Sequence, residues 1–232
     1  MIYKNSKRDN RGSQKEVPNL EIKENKIIVS GYHKYEIIEN KINLKGKKQK
    51  FKIISDLLKE YYLEKECNSL TDIGCSNGLF SLQSIFFGYN VFALDHDDEC
   101  INLINLIKTE LKLENLESLK YSFGDDINKK SDIVIMLALI HWIYSCTTIY
   151  GNFDDIFTYI NKYVNKYLFI EWIDPTDSVI KKFKHLDFNK KSHKVEYNVK
   201  NFEKSLLKNI GNITYKKVLD KETRILYVVK KK

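Results

Sequence analysis

The chain has 232 residues, of which 43% are hydrophobic, enough for a sizeable core in one α/β domain with modest additions. Its formal charge of +8 invites a nucleic-acid partner, yet only Arg8, Arg11 and Arg224 are arginine and every other basic residue is lysine; the bidentate phosphate contacts that arginine makes are nearly absent, so the charge reads as a solvated surface. Cys67, Cys75, Cys100 and Cys146 form no C-x-x-C pair. Met1 to Asn19 is polar throughout, and the longest apolar stretch, Ile133 to Tyr144, falls well short of the roughly 20 residues that cross a bilayer. A soluble, cytoplasmic protein with reduced thiols and no membrane partner is expected.

Along the chain, Met1 to about Pro18 is charged, lacks periodicity and is expected to be mobile. Leu20-Glu-Ile22 and Ile27-Ile-Val29 flank Lys23 to Lys26 as one hairpin, and Tyr35-Glu-Ile-Ile38 and Ile42-Asn-Leu44 flank Glu39 to Lys41 as another. Residues 1–48 therefore read as a flexible terminus with a small β extension, and 49–232 as the main domain. Phe51, Ile54, Leu57, Leu58 and Tyr61 recur at helical spacing. Leu70-Thr-Asp-Ile73 reads as a buried strand, then come a turn from Gly74 to Gly78 and a helix from Leu79 to Phe87. Asn90 to Leu94 is a second strand closed by Asp95, and a helix follows from about Asp98 to Leu113 with Ile101, Ile104, Leu106 and Leu111 as its apolar contacts. Leu119–Phe123, Asp132–Leu137 and Tyr167–Trp172 read as strands three to five, with a helix from Phe153 to about Asn165 before the last. Asn198 can cap a helix to Asn209 that turns Phe202, Leu206 and Leu207 inward. Ile213–Leu219 and Arg224–Val229 then pair antiparallel across Asp220 to Thr223. Strand alternating with helix at this rhythm predicts a parallel sheet with helices on both faces.

The segment Asp72-Ile-Gly-Cys-Ser-Asn-Gly78 carries the chemistry. Glycine lets the backbone turn sharply and approach a ligand that a Cβ would push away. Asp95 closes the next strand, twenty-three residues after Asp72, and a carboxylate about twenty residues past a glycine turn in a βαβ unit is where ribose hydroxyls are held. The chain is therefore expected to bind a nucleoside-containing small molecule. The spacing is G-x-S-x-G rather than the dinucleotide G-x-G-x-x-G, and Asp72 would repel a pyrophosphate while suiting a cationic amine.

This pattern resembles motif I of the class I S-adenosylmethionine-dependent methyltransferases, an acidic residue followed by G-x-G-x-G, with Ser76 in place of the middle glycine. Asp95 matches that family's acid after strand two, and Gly124-Asp125 its acid after strand three. The resemblance runs from about Phe51 to Trp172. It implies a Rossmann-like α/β fold whose seven-stranded, mostly parallel sheet has the order 3-2-1-4-5-7-6, the last strand inserted antiparallel beside strand five. It also implies S-adenosyl-L-methionine as cofactor, held by Asp72, Gly74, Cys75, Ser76 and Gly78 at the turn. Asp95 and His96 would follow after strand two, and Asp125, Asp126 and Leu139 after strands three and four.

Methyl transfer from a sulfonium is an in-line displacement, so alignment and removal of the acceptor's proton are the tasks left to the protein. Leu139-Ile-His141-Trp142 follows strand four, where the resembled family presents its acceptor. The Asn/Asp-Pro-Pro-Tyr of DNA amino methylation is absent, so DNA base methylation is not expected. His141 is the general-base candidate because its unperturbed pKa lies near neutrality; lining the cofactor pocket or packing beside Trp142 is the other reading. Glu171-Trp-Ile-Asp174-Pro-Thr-Asp177 closes strand five, with Glu171 and Asp174 as catalytic candidates and Asp177 as a cap. No His or Cys is spaced with them, so no metal is expected. His33 and His193 read as surface residues, His185 as part of a loop over the acceptor side, and Tyr32, Tyr35 or Tyr144 as candidate walls of the acceptor pocket. The expected activity is methylation of a hydroxyl on a small molecule, sugar or glycan. An RNA acceptor, drawing on the lysine surface, and a cofactor-binding subunit without turnover are the alternatives.

Overall fold

The computed structural model describes residues 2–3, 17–46, 49–64, 67–146, 150–183, 186–188, 193–219 and 221–232; most of the segment expected to be mobile, up to Pro18, lies outside them. In chain order the first elements are β1 (Ile2–Tyr3), β2 (Asn19–Lys23), β3 (Lys26–Ser30), β4 (Tyr35–Ile38), β5 (Lys41–Leu44) and α1 (Gln49–Glu64). Then come β6 (Ser69–Ile73), α2 (Leu79–Phe87), β7 (Asn90–Asp95), α3 (Asp98–Leu111), β8 (Leu116–Lys120), β9 (Ser131–Met136) and α4 (Ile140–Cys146). The chain ends with α5 (Phe153–Asn161), β10 (Val164–Ile173), a 3-10 turn (Ile180–Lys182), α6 (Val199–Asn209), β11 (Gly211–Val218) and β12 (Arg224–Lys231). Among the described residues no helix is long and apolar enough to cross a membrane.

One sheet has five strands in the order β1-β2-β3-β4-β5, every neighbour antiparallel. It contains both expected hairpins. Alternation places Leu20, Ile27, Val29, Tyr35 and Ile37 on its buried side. The other sheet has seven strands in the order β11-β12-β10-β9-β6-β7-β8. Numbered from β6 and read from the far edge, this is the expected 3-2-1-4-5-7-6. β6 and β10 run parallel to β9, and β7 to β8, while β12 lies antiparallel between β10 and β11. The central strand β9 is buried at every position, as a strand covered on both faces must be. The edges β8 and β11 are mostly polar and half-exposed, which discourages pairing with another chain.

Contacts group the chain into two compact units, Met1–Asn68 with Gly74–Tyr121 and Ser69–Ile73 with Ser122–Lys232. In the first, Asp97 caps α3 by accepting from the Glu99 amide, with Asp98 and Glu99 in the first turn, where their charge favours the helix dipole. Gly88, at φ 107°, ends α2. In the second, Asn152 caps α5 and Asn198 caps α6 through the amides of Asp155 and Asn201. An aromatic core joins these helices to β10: Trp172 stacks on Tyr197 with centroids 4.5 Å apart, and Phe153 and Phe202 pack edge-on.

Several boundaries and contacts differ from expectation. Strand three runs over Leu116–Lys120 instead of Leu119–Phe123. At a half-exposed edge only Leu116 is buried and Leu119 is 52% exposed, so the apolar pattern that locates central strands is missing. α5 stops at Asn161 and β10 begins at Val164. Leu106 and Leu207 are 38% and 45% exposed. Leu106 lies two residues past the buried Ile104, roughly 200° round the helix, so apolar character at that position does not turn it inward.

Candidate functional site

The turn after β6 alternates its backbone: Gly74, Ser76 and Gly78 have φ of 77°, 51° and 80°. Glycine adopts this left-handed region freely, whereas at Ser76 it costs roughly 1–2 kcal/mol, so something must hold it there. The amides of Gly74 and Cys75 both donate to the Leu94 carbonyl, at 2.8 and 3.0 Å, and that of Ser76 donates to Asp95 Oδ2 at 2.8 Å. A side chain at Gly78 would be strained twice, by φ and by Ile104 Cγ1, which would lie 3.1 Å from its Cβ. The end of β7 thus moulds the turn, through the Leu94 carbonyl and the Asp95 carboxylate.

Asp95 is 7% exposed. Its Oδ1 accepts from the Asp97 amide at 3.0 Å and lies 3.2 Å from His96 Nδ1. Burial opposes its ionisation, but the hydrogen bonds from His96, Asp97 and Ser76 together outweigh burial and hold the carboxyl below its ordinary value. A carboxylate offers about four acceptor positions. One on Oδ2 is left after the Ser76 bond, while those on Oδ1 are taken by the Asp97 amide and by His96, whose side chain is 69% exposed. The cap of α3 belongs to Asp97, which removes that role from Asp95. An ionised, buried carboxylate with an acceptor position left on Oδ2 and an exposed imidazole beside Oδ1, next to a left-handed glycine turn, suits a ligand that presents hydroxyls.

The same unit holds residues that sequence reasoning placed otherwise. Tyr35 is 1% exposed, and its hydroxyl donates to the Asn77 carbonyl at 2.5 Å. The Asn77 side chain, fully buried, donates from Nδ2 to the His33 carbonyl at 2.7 Å. His33 is partly buried; burial first, then the Lys50 charge, lowers its pKa to about 4. Tyr32 is 65% exposed. Asn77 was missed because an asparagine in a glycine turn looks locally sufficient, and its partner lies 44 residues away.

In the second unit Asp72 is buried near the end of β6, paired in register with Ile135. Asp125 lies in a turn after Gly124, its Oδ2 accepting from the Ser122 amide at 2.8 Å and its carbonyl accepting from the Tyr159 hydroxyl. Asp126 Oδ1 accepts from Tyr163 at 3.0 Å. After β9 the backbone passes through left-handed Ala138, and the Leu139 carbonyl receives the amides of Trp142 and Ile143 to start α4. His141 is 3% exposed on α4, its ring 5.5 Å from that of Trp142.

Glu171 is fully buried in β10, its Oε1 3.7 Å from an Arg224 nitrogen. Asp174 Oδ1 accepts from the amide and the hydroxyl of Thr176, at 2.9 and 2.6 Å. Asp177, also fully buried, takes the Arg224 guanidinium on both oxygens at 3.0 and 3.2 Å, together with the Thr223 hydroxyl and the Val179 amide. Burial opposes its ionisation, and the hydrogen bonds of Arg224, Thr223 and Val179 overcome it, so its carboxyl titrates far below the ordinary range. Asp177 does fasten the turn ahead of the 3-10 segment, and also anchors Arg224, a role without local signal. Tyr144 is buried, donating to the Val195 carbonyl. His193 is bracketed rather than free on the surface: Nδ1 lies 3.0 Å from the Phe188 carbonyl and Nε2 3.0 Å from that of Tyr144. His185 lies outside the described residues.

Comparison with known proteins decides the family. The family model described as Tellurite resistance protein TehB matches residues 36–162, more than half of the chain. The chain belongs to that family. TehB proteins are S-adenosylmethionine-dependent methyltransferases, so the activity class and the cofactor expected from the glycine turn hold for this chain. No curated protein matches its sequence. Among solved structures, it is similar in fold to magnesium protoporphyrin IX methyltransferase from Synechocystis PCC 6803 with bound S-adenosylmethionine, at 13% identity and TM-score 0.58, over 78% of this chain and 80% of that one. An S-adenosylmethionine-dependent methyltransferase from Clostridium acetobutylicum ATCC 824 gives 16% identity and TM-score 0.57, over 78% of this chain and 91% of that one. An O-methyltransferase family protein from Burkholderia thailandensis gives 10% and 0.56, over 78% and 55%. At these identities the likeness of this TehB family member to the solved structures speaks to the fold alone.

Proposed function

We propose that this protein moves the methyl group of S-adenosylmethionine in line to a hydroxyl of a small molecule, sugar or glycan. One observation supports placing the cofactor at this turn: the ionised Asp95 carboxylate, bonded to the Ser76 and Asp97 amides and to His96, keeps an acceptor position on Oδ2. In this reading Asp95 accepts the two ribose hydroxyls, with His96 beside them, and Gly74, Cys75, Ser76 and Gly78 give the close backbone approach. The motif resemblance, not the geometry, proposes Asp72, Asp125, Asp126 and Leu139 as further cofactor contacts, the acids for the amino groups of the methionine and adenine ends. When bound, the sulfonium supplies an activated methyl, and no group of the protein needs to form a bond to carbon.

His141 is the proposed base. Its burial would keep competing water from its ring, and a neutral imidazole can take a hydroxyl proton as the methyl arrives. Glu171, beside Arg224, and Asp174, held by Thr176, are proposed to shape the end of β10 and orient the acceptor through it rather than to take a proton.

The family description favours a second acceptor, an oxyanion of the tellurite kind. Such an acceptor offers a lone pair without a proton to lose, so it needs alignment and no base. The two readings part experimentally. Labelled S-adenosylmethionine is incubated with the protein and, separately, metabolite, glycan and RNA fractions and tellurite. Label in a small hydroxyl compound or glycan supports the first reading, and label transferred to tellurite the second. Transfer to RNA, with binding that falls steeply with salt, would overturn both. Cofactor binding with no transfer to any fraction would make the protein a non-catalytic subunit.

A further inference from the structure

Asn77 sits inside the glycine turn, and it is held from outside by the turn between β3 and β4 and by Tyr35, the first residue of β4. Its carbonyl receives the Tyr35 hydroxyl at 2.5 Å and its Nδ2 donates to the His33 carbonyl at 2.7 Å. The segment is fitted closely. Gly31 has φ 132°, and a Cβ there would lie 3.1 Å from Pro18 Cα and 3.5 Å from Asn77 Nδ2. His33 sets its ring edge-on to Phe80, in the first turn of α2, at 6.2 Å, and Tyr32 packs edge-on to His33 at 4.7 Å. Asn77 is fully buried, yet its Oδ1 accepts no hydrogen bond from the described residues. The amide is therefore oriented by its one donated bond to His33. Residues 17–35, which supply most of this clasp, precede the part of the chain that matches the family model.

We propose that the turn Gly31–Tyr35 is a clasp on the cofactor turn, and that Tyr35 and Asn77 are positioning residues for S-adenosylmethionine binding. The physical argument is conformational. Residues 76 and 78, on either side of Asn77, both occupy the left-handed region, and Ser76 does so at a cost. With the clasp made, the Asn77 peptide is fixed by Tyr35 and its side chain by His33, so the Ser76 amide stays aimed at Asp95. With the clasp open, the turn samples conformations that do not bind, and the apparent Kd rises as the inverse of the competent fraction. Linkage requires the reverse as well: cofactor binding must tighten the clasp by the same factor.

The inference rests on the proposed placement of the cofactor at this turn, and its test keeps the two apart. Tyr35→Phe removes one buried hydroxyl and keeps the ring; Asn77→Asp keeps the size and puts an acceptor where Nδ2 faced the His33 carbonyl. S-adenosylhomocysteine is titrated calorimetrically into wild type and both variants well below their melting temperatures. Backbone hydrogen exchange is followed with and without the ligand. The expected result is a Kd raised about fivefold by Tyr35→Phe, the scale of one buried hydrogen bond, and more by Asn77→Asp. In wild type the ligand should slow exchange at residues 31–35 as well as at 74–78, and in Tyr35→Phe the protection of 31–35 should be lost. A wild type that binds and protects 74–78 but not 31–35, with Kd unchanged in Tyr35→Phe, overturns the clasp and leaves the cofactor site standing. Ligand binding without protection of 74–78 overturns the placement itself. A lowered melting temperature with unchanged Kd makes Tyr35 and Asn77 structural only.

Discussion

Replacing Asp95 by alanine separates its work in the fold from its work on the ligand. In the unliganded protein the substitution removes the acceptor of the Ser76 and Asp97 amides, at 2.8 and 3.0 Å, at a position 7% exposed. Two bonds to a charged group, with partial replacement by water, amount to about 2 kcal/mol. For a chain of this length that lowers Tm by about 4–8 °C. Loss of the ribose contacts should weaken S-adenosylhomocysteine by a further 1.5–3 kcal/mol or so, roughly 10- to 100-fold in Kd. Because a loosened turn alone would also weaken binding, the decisive comparison uses the ligand. Wild type and Asp95→Ala are titrated calorimetrically with S-adenosylhomocysteine and with its 2′-deoxy analogue, at a temperature where both proteins are folded. Wild type should lose about tenfold on removal of the 2′ hydroxyl, and the variant should not distinguish the two ligands. Equal discrimination by both proteins refutes the contact and leaves Asp95 as the organiser of the turn.

Three further expectations concern other parts of the molecule. His141→Ala should reduce turnover of a hydroxyl acceptor by roughly 10²-fold or more while cofactor Kd stays within a few fold; steady-state rates beside calorimetry would show a matched loss in both if His141 only lines the cofactor pocket. His33 is held neutral to about pH 4 against an ordinary value of 6.5, so between those values the unfolded chain takes up a proton that the folded chain refuses. Stability is lost as pH falls through that window, by on the order of 3 kcal/mol, and urea melts at a series of pH values should show a flatter acid limb for His33→Gln; an unchanged limb contradicts the argument. Arg224→Met removes the guanidinium from the fully buried Asp177 and Glu171, leaving Asp177 with Lys221 at 3.8 Å, and should cost about 3 kcal/mol in denaturant melts, whereas a loss under about 1 kcal/mol would mean the pairing contributes little.

The local signals in this sequence determined most of the fold. Gly74 and Gly78 mark a turn that only a left-handed backbone can make, Asn198 caps its helix as read, and the run of apolar residues in β9 is that of a strand buried on both faces. Asp95 was legible because its place at a strand end is fixed by the rhythm of strand and helix. Legibility failed where the cause was not local. Strand three slipped by three residues because a solvated edge imposes no apolar pattern on Leu116–Lys120. The hold of Tyr35 and His33 on Asn77 joins residues 42 and 44 apart, and that of Arg224 on Asp177 spans 47. No periodicity or motif encodes such pairs, because a buried polar group takes whichever partner the folded chain brings within reach. The sequence alone determined the sheet, the turn and the acid at its edge; the folded chain decided which side chains fasten that turn and which carboxylates of strand five are already engaged.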